Sequence, residues 1–298
     1  MMSFLSATSS TLVPPVDLHL FRQSRATSPV SGPSGRLFAL SMLSFVAFFV
    51  AGLVVLLAAN VDYVVREFGP ENLDRFWQTL WTPEIRAAAW LSLWTTSVTV
   101  VLGLILAVPM GYALSRYRFP GHALVDSIVD LPIILPPLVV GLALLVFFQT
   151  ELGRRIEDAG LTFVFERKGI VLCQLFVSAS FGIRAVKLTF DGIDPRLEHV
   201  AMTLGSTRAG AFARVALPMA RRGIIVGGIL IWTRALGIFG PLLVFVGAAR
   251  MRTEVLPTTI YLEQSVGRID VALAVAIVML VLVAVALVTV RAIGLGAR

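Results

Sequence analysis

The side chains in this chain that can do chemistry are few, and most sit within or beside long apolar runs. Arg234 lies near the middle of the run 223–247. Asp126 and Asp130 lie in the run 125–148. Glu198 and His199 are adjacent in a polar stretch, Pro195–Pro218, that reads PRLEHVAMTLGSTRAGAFARVALP. An arginine at the centre of a membrane helix costs at least ~2.5 kcal/mol, so Arg234 must face the bundle. There it can pair with Asp130 or Asp126, face a water-filled cavity, or attract an anion. None of these residues forms a catalytic set. No Ser/His/Asp constellation falls within the runs, and Asp126 with Asp130 alone is thin support for paired-carboxylate chemistry. Three histidines (His19, His122, His199) and the single Cys173 argue against a Cys/His metal site and leave no intramolecular disulfide. No GxxxxGK[ST] run is present to cradle nucleotide phosphates.

The elements that must position these residues are membrane helices. Of 298 residues, 57% are hydrophobic and 14% charged, against about 25% charged in a soluble domain. Mean hydropathy is +0.87. An all-α polytopic membrane protein follows. Crossing the hydrocarbon takes roughly 20 apolar residues, and six runs qualify: Leu37–Ala59, Ala87–Leu114, Val125–Phe148, Gly169–Val186, Gly223–Gly247 and Val271–Ile293. Gln174, Ser178 and Ser180 interrupt the fourth, which should therefore face the bundle rather than lipid. Residues 1–36, rich in Ser, Pro and Thr, read as a disordered tail. The run after them is too long for a signal peptide and is kept as a span.

The net charge of +7 and pI near 10.4 fit a nucleic-acid partner, but the charges are sorted by loop, which rules that reading out. With the N-terminus inside, the inner segments hold fourteen Lys and Arg against four Asp and Glu, and the outer segments ten against twelve. The Lys/Arg bias places both termini, and the Pro195–Pro218 stretch, in the cytoplasm. The expected organisation is a cytoplasmic tail 1–36, a first transmembrane helix 37–59, a periplasmic loop 60–86, and a core domain 87–293 with a cytoplasmic loop 188–222. Phe76, Trp77, Leu80 and Trp81 in the outer loop fit a short helix on the bilayer, or a docking surface for an external partner.

Within the polar stretch, Leu197, Ala201, Leu204 and Phe212 recur at near-helical spacing. Asp194-Pro195 suits a helix start, Gly205 permits a sharp reversal, and Leu217-Pro218 should break the next helix. Two short helices joined at Gly205 result, lying across the inner face, either against a partner or on anionic lipid. In the third run, Pro132, Pro136 and Pro137 remove backbone donors, with Gly141 just beyond. A broken helix at membrane depth is tolerated only where protein or a water-filled cavity surrounds it, and a packing kink is the alternative.

At these residues the chain resembles a known family. The polar stretch is similar to the cytoplasmic EAA loop of permease subunits of ABC importers. Ala201, Gly205, Val215, Leu217 and Pro218 fall on that pattern, while His199 and Val200 replace its first two positions and Glu198 precedes them. The Asp130–Leu142 run, Pro109–Gly121, Thr233–Gly240 and Thr253–Tyr261 resemble the sulfate, molybdate and tungstate branch; Ile238 stands where that branch has a Glu, and Ser180 where it has a Pro. The likeness covers roughly residues 87–290. It implies a type I importer permease fold of six transmembrane helices. A tetrahedral oxyanion, or alternatively phosphate or an organic solute, would cross the inner membrane; a non-transport membrane assembly protein is the rival outside that class. The implied partners are a cytoplasmic ATPase dimer holding ATP and Mg, a second permease subunit (the same or another chain), an extracytoplasmic solute-binding protein and membrane lipid, with no nucleic acid. Glu198, His199, Ala201, Leu204, Gly205, Leu217 and Pro218 would couple to the ATPase. Pro132, Pro136, Pro137, Gly141, Arg234, Gly237 and Gly240 would line the pathway. No catalytic residue or metal is implied in this chain.

Overall fold

The computed structural model describes residues 33–69 and 73–295. The tail expected over 1–36 falls, up to residue 32, outside them. The chain forms two units, residues 1–58 and 59–298. The described part of the first unit is the beginning of helix α1 (Pro33–Phe68), whose Leu37, Phe38, Phe45 and Phe48 are exposed, as a lipid-facing helix requires.

The second unit is also helical throughout its described residues. Its centre is three packed helices: α3 (Pro83–Arg116), α7 (Arg167–Asp191) and α10 (Leu217–Leu236). α3 and α7 run in the same direction. Thr99 donates to Gln174 at 3.0 Å, and twelve residues further along each helix Gly111 lies against Val186. α10 runs the other way: Gly223 meets Thr189, Ile231 meets Gly182, and Gln174 Nε2 donates to the Ala235 carbonyl at 3.3 Å. Small residues set this spacing. A Cβ at Gly182 would lie 2.4 Å from Ile231 Cδ1. Gln174, Ser178 and Ser180 are buried, as their polarity inside a span predicts.

The third apolar run is not one helix. α4 (His122–Ile134) and α5 (Pro137–Gln149) meet at an angle of 109°. Leu135 and Pro136 each precede a proline, which disfavours helical ψ, and both are extended (ψ 140° and 127°). The pair still makes one crossing. At one end the Leu114 carbonyl accepts from His122 Nε2 at 3.0 Å; at the other, Phe148 packs on Phe245 beside Ile170, and a short helix, α6 (Glu151–Asp158), follows. With the five longer helices this gives, among the described residues, six candidate crossings by length and composition.

The run 223–247 is also interrupted. α10 ends at Leu236, and a short helix, α11 (Gly240–Phe245), starts after Gly237–Phe239. Pro241 fits only the first turn of a helix, so α11 restarts rather than continues α10. Leu217-Pro218, by contrast, breaks nothing. Helix α9 (Arg208–Ala211) passes through a wide π-turn, Phe212–Ala216, where Leu217 N–H bonds the Phe212 carbonyl, and α10 follows directly. The wider turn relieves the crowding that Pro218 would impose on the carbonyl one turn before it.

The last elements are α12 (Leu256–Ser265) and α13 (Ile269–Leu295). α12 has Pro257 in its first turn, and Val255–Thr259 are buried. Leu256 N–H donates to Ser92 Oγ of α3 at 2.8 Å, and Leu256 packs with Ile85 and Val275. In α2 (Leu73–Leu80) Phe76 and Leu80 pack with Val64 and Ala274, while Trp77 is exposed on α2 and Trp81 just beyond it.

Candidate functional site

The polar stretch folds as a short helix, α8 (Arg196–Thr203), then a turn and α9. Gly205 takes φ +91° and closes α8: its N–H bonds the Met202 carbonyl at 3.0 Å, and Ser206 N–H bonds Ala201 at 3.0 Å. These two bonds need a left-handed residue between them, which glycine supplies without strain. Thr207 Oγ1 then caps α9, accepting from Gly210 N–H at 3.0 Å.

Two faces of α8 differ in kind. The inward face carries Glu198, 6% exposed. Arg116 Nε donates to it at 2.8 Å, and Tyr112 Oη at 2.5 Å. The rest of the Arg116 guanidinium donates to the carbonyls of Phe190 and Ile193, both at 2.9 Å. One arginine thereby joins the end of α3, the end of α7 and α8. Tyr112, Phe190 and Phe212 pack edge-on around it, with Tyr112 and Phe212 centroids 4.6 Å apart. The outward face is apolar and open: Leu197, Val200 and Leu204 are 43%, 55% and 84% exposed. His199 is exposed beside them, and Ala201 is half-buried. Phe212, read with Leu197 and Leu204 as one apolar side, belongs instead to the inward aromatic cluster.

The second constellation lies inside the bundle. Neither Asp126 nor Asp130 reaches Arg234. Both pair with Arg184 of α7: Arg184 Nη1 lies 2.8 Å from Asp126 Oδ1, and its other nitrogens hold Asp130 and the Asp126 carbonyl. Arg184 takes both carboxylates in the fold, so the pairing of Arg234 with Asp130 or Asp126 fails. Among the described residues no carboxylate pairs with Arg234, and its buried Nε has no hydrogen-bond partner. Its guanidinium sits over Phe181, 5.2 Å from the ring centroid. Ile238, four residues on, cannot supply the acid that an i,i+4 pair needs.

Arg234 stands one turn before the break at Gly237–Phe239, and that break meets the one in the third run. Gly141 of α5 lies directly on Pro241 of α11; a Cβ there would come within 2.6 Å of the Pro241 Cα and carbonyl oxygen. Gly240 faces Leu138. The fold thus brings Leu138 and Gly141 against Gly240 and Pro241, with Pro137 at the start of α5. Pro132 stays inside α4, Pro136 forms the bend, and Gly237 is exposed as the cap of α10.

Spacing did not single out a third group, at the α12 end. Glu263 is held by Arg250 at 2.9 Å and Arg268 at 2.7 Å. Glu254 is buried, with one carboxyl oxygen unpartnered. Burial raises its pKa above the usual carboxylate range, against the opposing pull of the Thr259 hydrogen bond and Arg250. Among the described residues no three His, Cys, Asp or Glu side chains gather as a metal site.

Comparison with known proteins adds a family. The family model described as binding-protein-dependent transport system inner membrane component matches residues 99–296. The chain is 39% identical over 182 residues to the molybdenum transport system permease protein ModB of Escherichia coli, covering 60% of this chain and 79% of that one. It is 36% identical over 203 residues to the molybdate/tungstate transport system permease protein WtpB of Thermococcus kodakarensis, covering 68% and 73%. It is 30% identical over 210 residues to the sulfate transport system permease protein CysT of Salmonella typhimurium, covering 70% and 76%. In fold it matches a chain of a bacterial alginate ABC transporter in complex with alginate pentasaccharide-bound periplasmic protein, with a TM-score of 0.69 at 20% identity over 88% of this chain and 94% of that one.

Proposed function

The chain belongs to the binding-protein-dependent transport system inner membrane components, and from that premise we propose that it passes a tetrahedral oxyanion, of the molybdate, tungstate or sulfate kind, across the membrane. It is a multi-pass inner-membrane permease of an ABC importer, and not itself a catalyst. The observation that carries the oxyanion reading is Arg234: a membrane-embedded guanidinium with no carboxylate partner beside the meeting of two helix breaks. A planar fork of N–H donors suits an oxyanion, and an unsatisfied buried donor is stabilised by one. The named functions of the relatives support the same substrate class.

The α8 end is assigned to the cytoplasm, from the Lys/Arg bias. The open Leu197, Val200 and Leu204 face docks on an ATPase that holds ATP and Mg, and shape rather than an acid at position 199 guides the docking. Glu198 and Arg116 pass the motion of α8 into α3 and α7. A second permease subunit completes the pathway, and an extracytoplasmic solute-binding protein delivers the anion at the α12 end. Alternation follows when ATP and anion favour different states.

The test is uptake in proteoliposomes containing this chain, its ATPase and its binding protein. ATP-dependent accumulation of molybdate, tungstate or sulfate, competed by the other two, is expected. Accumulation of phosphate or an organic solute with no uptake of molybdate, tungstate or sulfate would refute the substrate class.

A further inference from the structure

The bundle holds a second charged group close to Arg234. Arg184 of α7 takes two carboxylates of α4, Asp126 at 2.8 Å and Asp130, and also donates to the Asp126 carbonyl at 2.9 Å. The three side chains are 24%, 27% and 32% exposed, so the group is partly open. One arginine against two aspartates leaves an excess of one negative charge. Lys187, three residues further along α7, pairs with Asp191 at 3.6 Å and does not cancel it. A single carboxylate would have neutralised Arg184. The second, in a membrane run, adds a desolvation cost with no further cation to balance, which marks the group as more than a structural pair.

The position of the group relative to Arg234 follows from α7. The Arg234 guanidinium sits over the Phe181 ring, 5.2 Å from its centroid, and Arg184 follows Phe181 by three residues. That spacing keeps both on one side of the helix and sets Arg184 about 4.5 Å nearer the α8 end. Asp130 stands on α4 just before the Leu135–Pro136 bend. We propose that Asp126, Arg184 and Asp130 form a charge barrier on the anion path, one step beyond Arg234 toward the α8 end. The proposal rests on the oxyanion reading above. The excess negative charge repels an oxyanion held at Arg234, and delivery waits on a movement of α4 against α7 that draws an aspartate aside. A doubly charged oxyanion feels such a barrier twice as strongly as a singly charged one, and a neutral solute does not feel it.

The test is leak without ATP from proteoliposomes that hold the complete importer. They are loaded with labelled mannitol and with whichever labelled oxyanion (molybdate, tungstate or sulfate) wild type accumulates with ATP. Wild type should release little of either solute. Asp126→Asn removes the excess charge but keeps the Arg184–Asp130 pair, and should raise oxyanion release about tenfold with mannitol release unchanged. Asp126→Glu should stay as tight as wild type. If Asp126→Asn does not assemble with its ATPase, Asp130→Asn carries the same expectation; failure of both to assemble would make the group structural and overturn the proposal. Wild-type oxyanion release from an assembled Asn variant would overturn it too. So would equal gains for oxyanion and mannitol, which would reveal a packing hole in place of a charge barrier. If wild type accumulates none of the three oxyanions, the oxyanion reading fails and takes the barrier with it. Accumulation by wild type with no leak in the variants sinks the barrier alone.

Discussion

Arg116 at the foot of α3 and Arg234 near the far end of α10 both carry a guanidinium into the bundle, but their surroundings differ. Arg116 has a hydrogen-bond partner on every nitrogen. Glu198 and the carbonyls of Phe190 and Ile193 take its donors, and its side chain is 10% exposed. Arg234 meets a ring face and no carboxylate, and its Nε is buried without a partner. A buried cation so partnered has little left for a ligand and serves to hold elements in register. An unsaturated one carries a desolvation cost that a ligand can relieve. The same contrast separates the two regions: the α8 end is tied by charge, whereas the crossing near Arg234 is tied by close backbone contact.

The largest effect should come from breaking the tie. Glu198→Ala strands Arg116 and should destabilise the α8 end by roughly 3–5 kcal/mol, lowering the thermal midpoint in detergent and freeing ATP hydrolysis from uptake. A Glu198→Arg, Arg116→Glu double exchange should recover part of both. A smaller loss is expected at the crossing. Gly141→Ala puts a Cβ against Pro241 backbone that cannot turn aside, for about 1–3 kcal/mol and slower uptake. Arg234→Gln should leave the thermal midpoint level or higher while uptake falls about tenfold. Arg234→Lys should keep a part of it, because a point charge replaces a fork. A lower midpoint for Arg234→Gln would mean that Arg234, too, is structural.

The smallest effect belongs to Glu254. Its folded pKa is raised, so the native state holds a proton that the unfolded state has released. Its contribution is present below the ordinary carboxylate pKa and declines as pH rises from there through the raised value. Glu254→Gln should flatten that decline in thermal midpoint against pH, and an unchanged slope would show that the carboxyl is not buried as described.

The sequence made some of this visible and hid the rest for identifiable reasons. Apolar length disclosed the crossings, and Gly205 with Asp194-Pro195 disclosed α8 and its turn, because those signals are local. Asp126 and Asp130 could be named as partners for an arginine in the bundle, but choosing Arg184 over Arg234 needs the packing of α4 on α7. The break at Gly237–Phe239 lies in a continuous apolar run, where Gly240-Pro241 was the only sign. Pro218 misled because the π-turn before it is a tertiary accommodation. Tyr112 and Arg116, four residues apart at the end of α3, were a one-face signal that only the return of α8 makes meaningful.

The most direct measurement is the ratio of oxyanion transported to ATP hydrolysed in proteoliposomes for Arg234→Gln against wild type, with ATPase assembly and thermal midpoint read on the same samples. If Arg234 serves the anion, the ratio falls about tenfold while assembly and midpoint hold. An unchanged ratio, or a loss that tracks unfolding, would contradict that role.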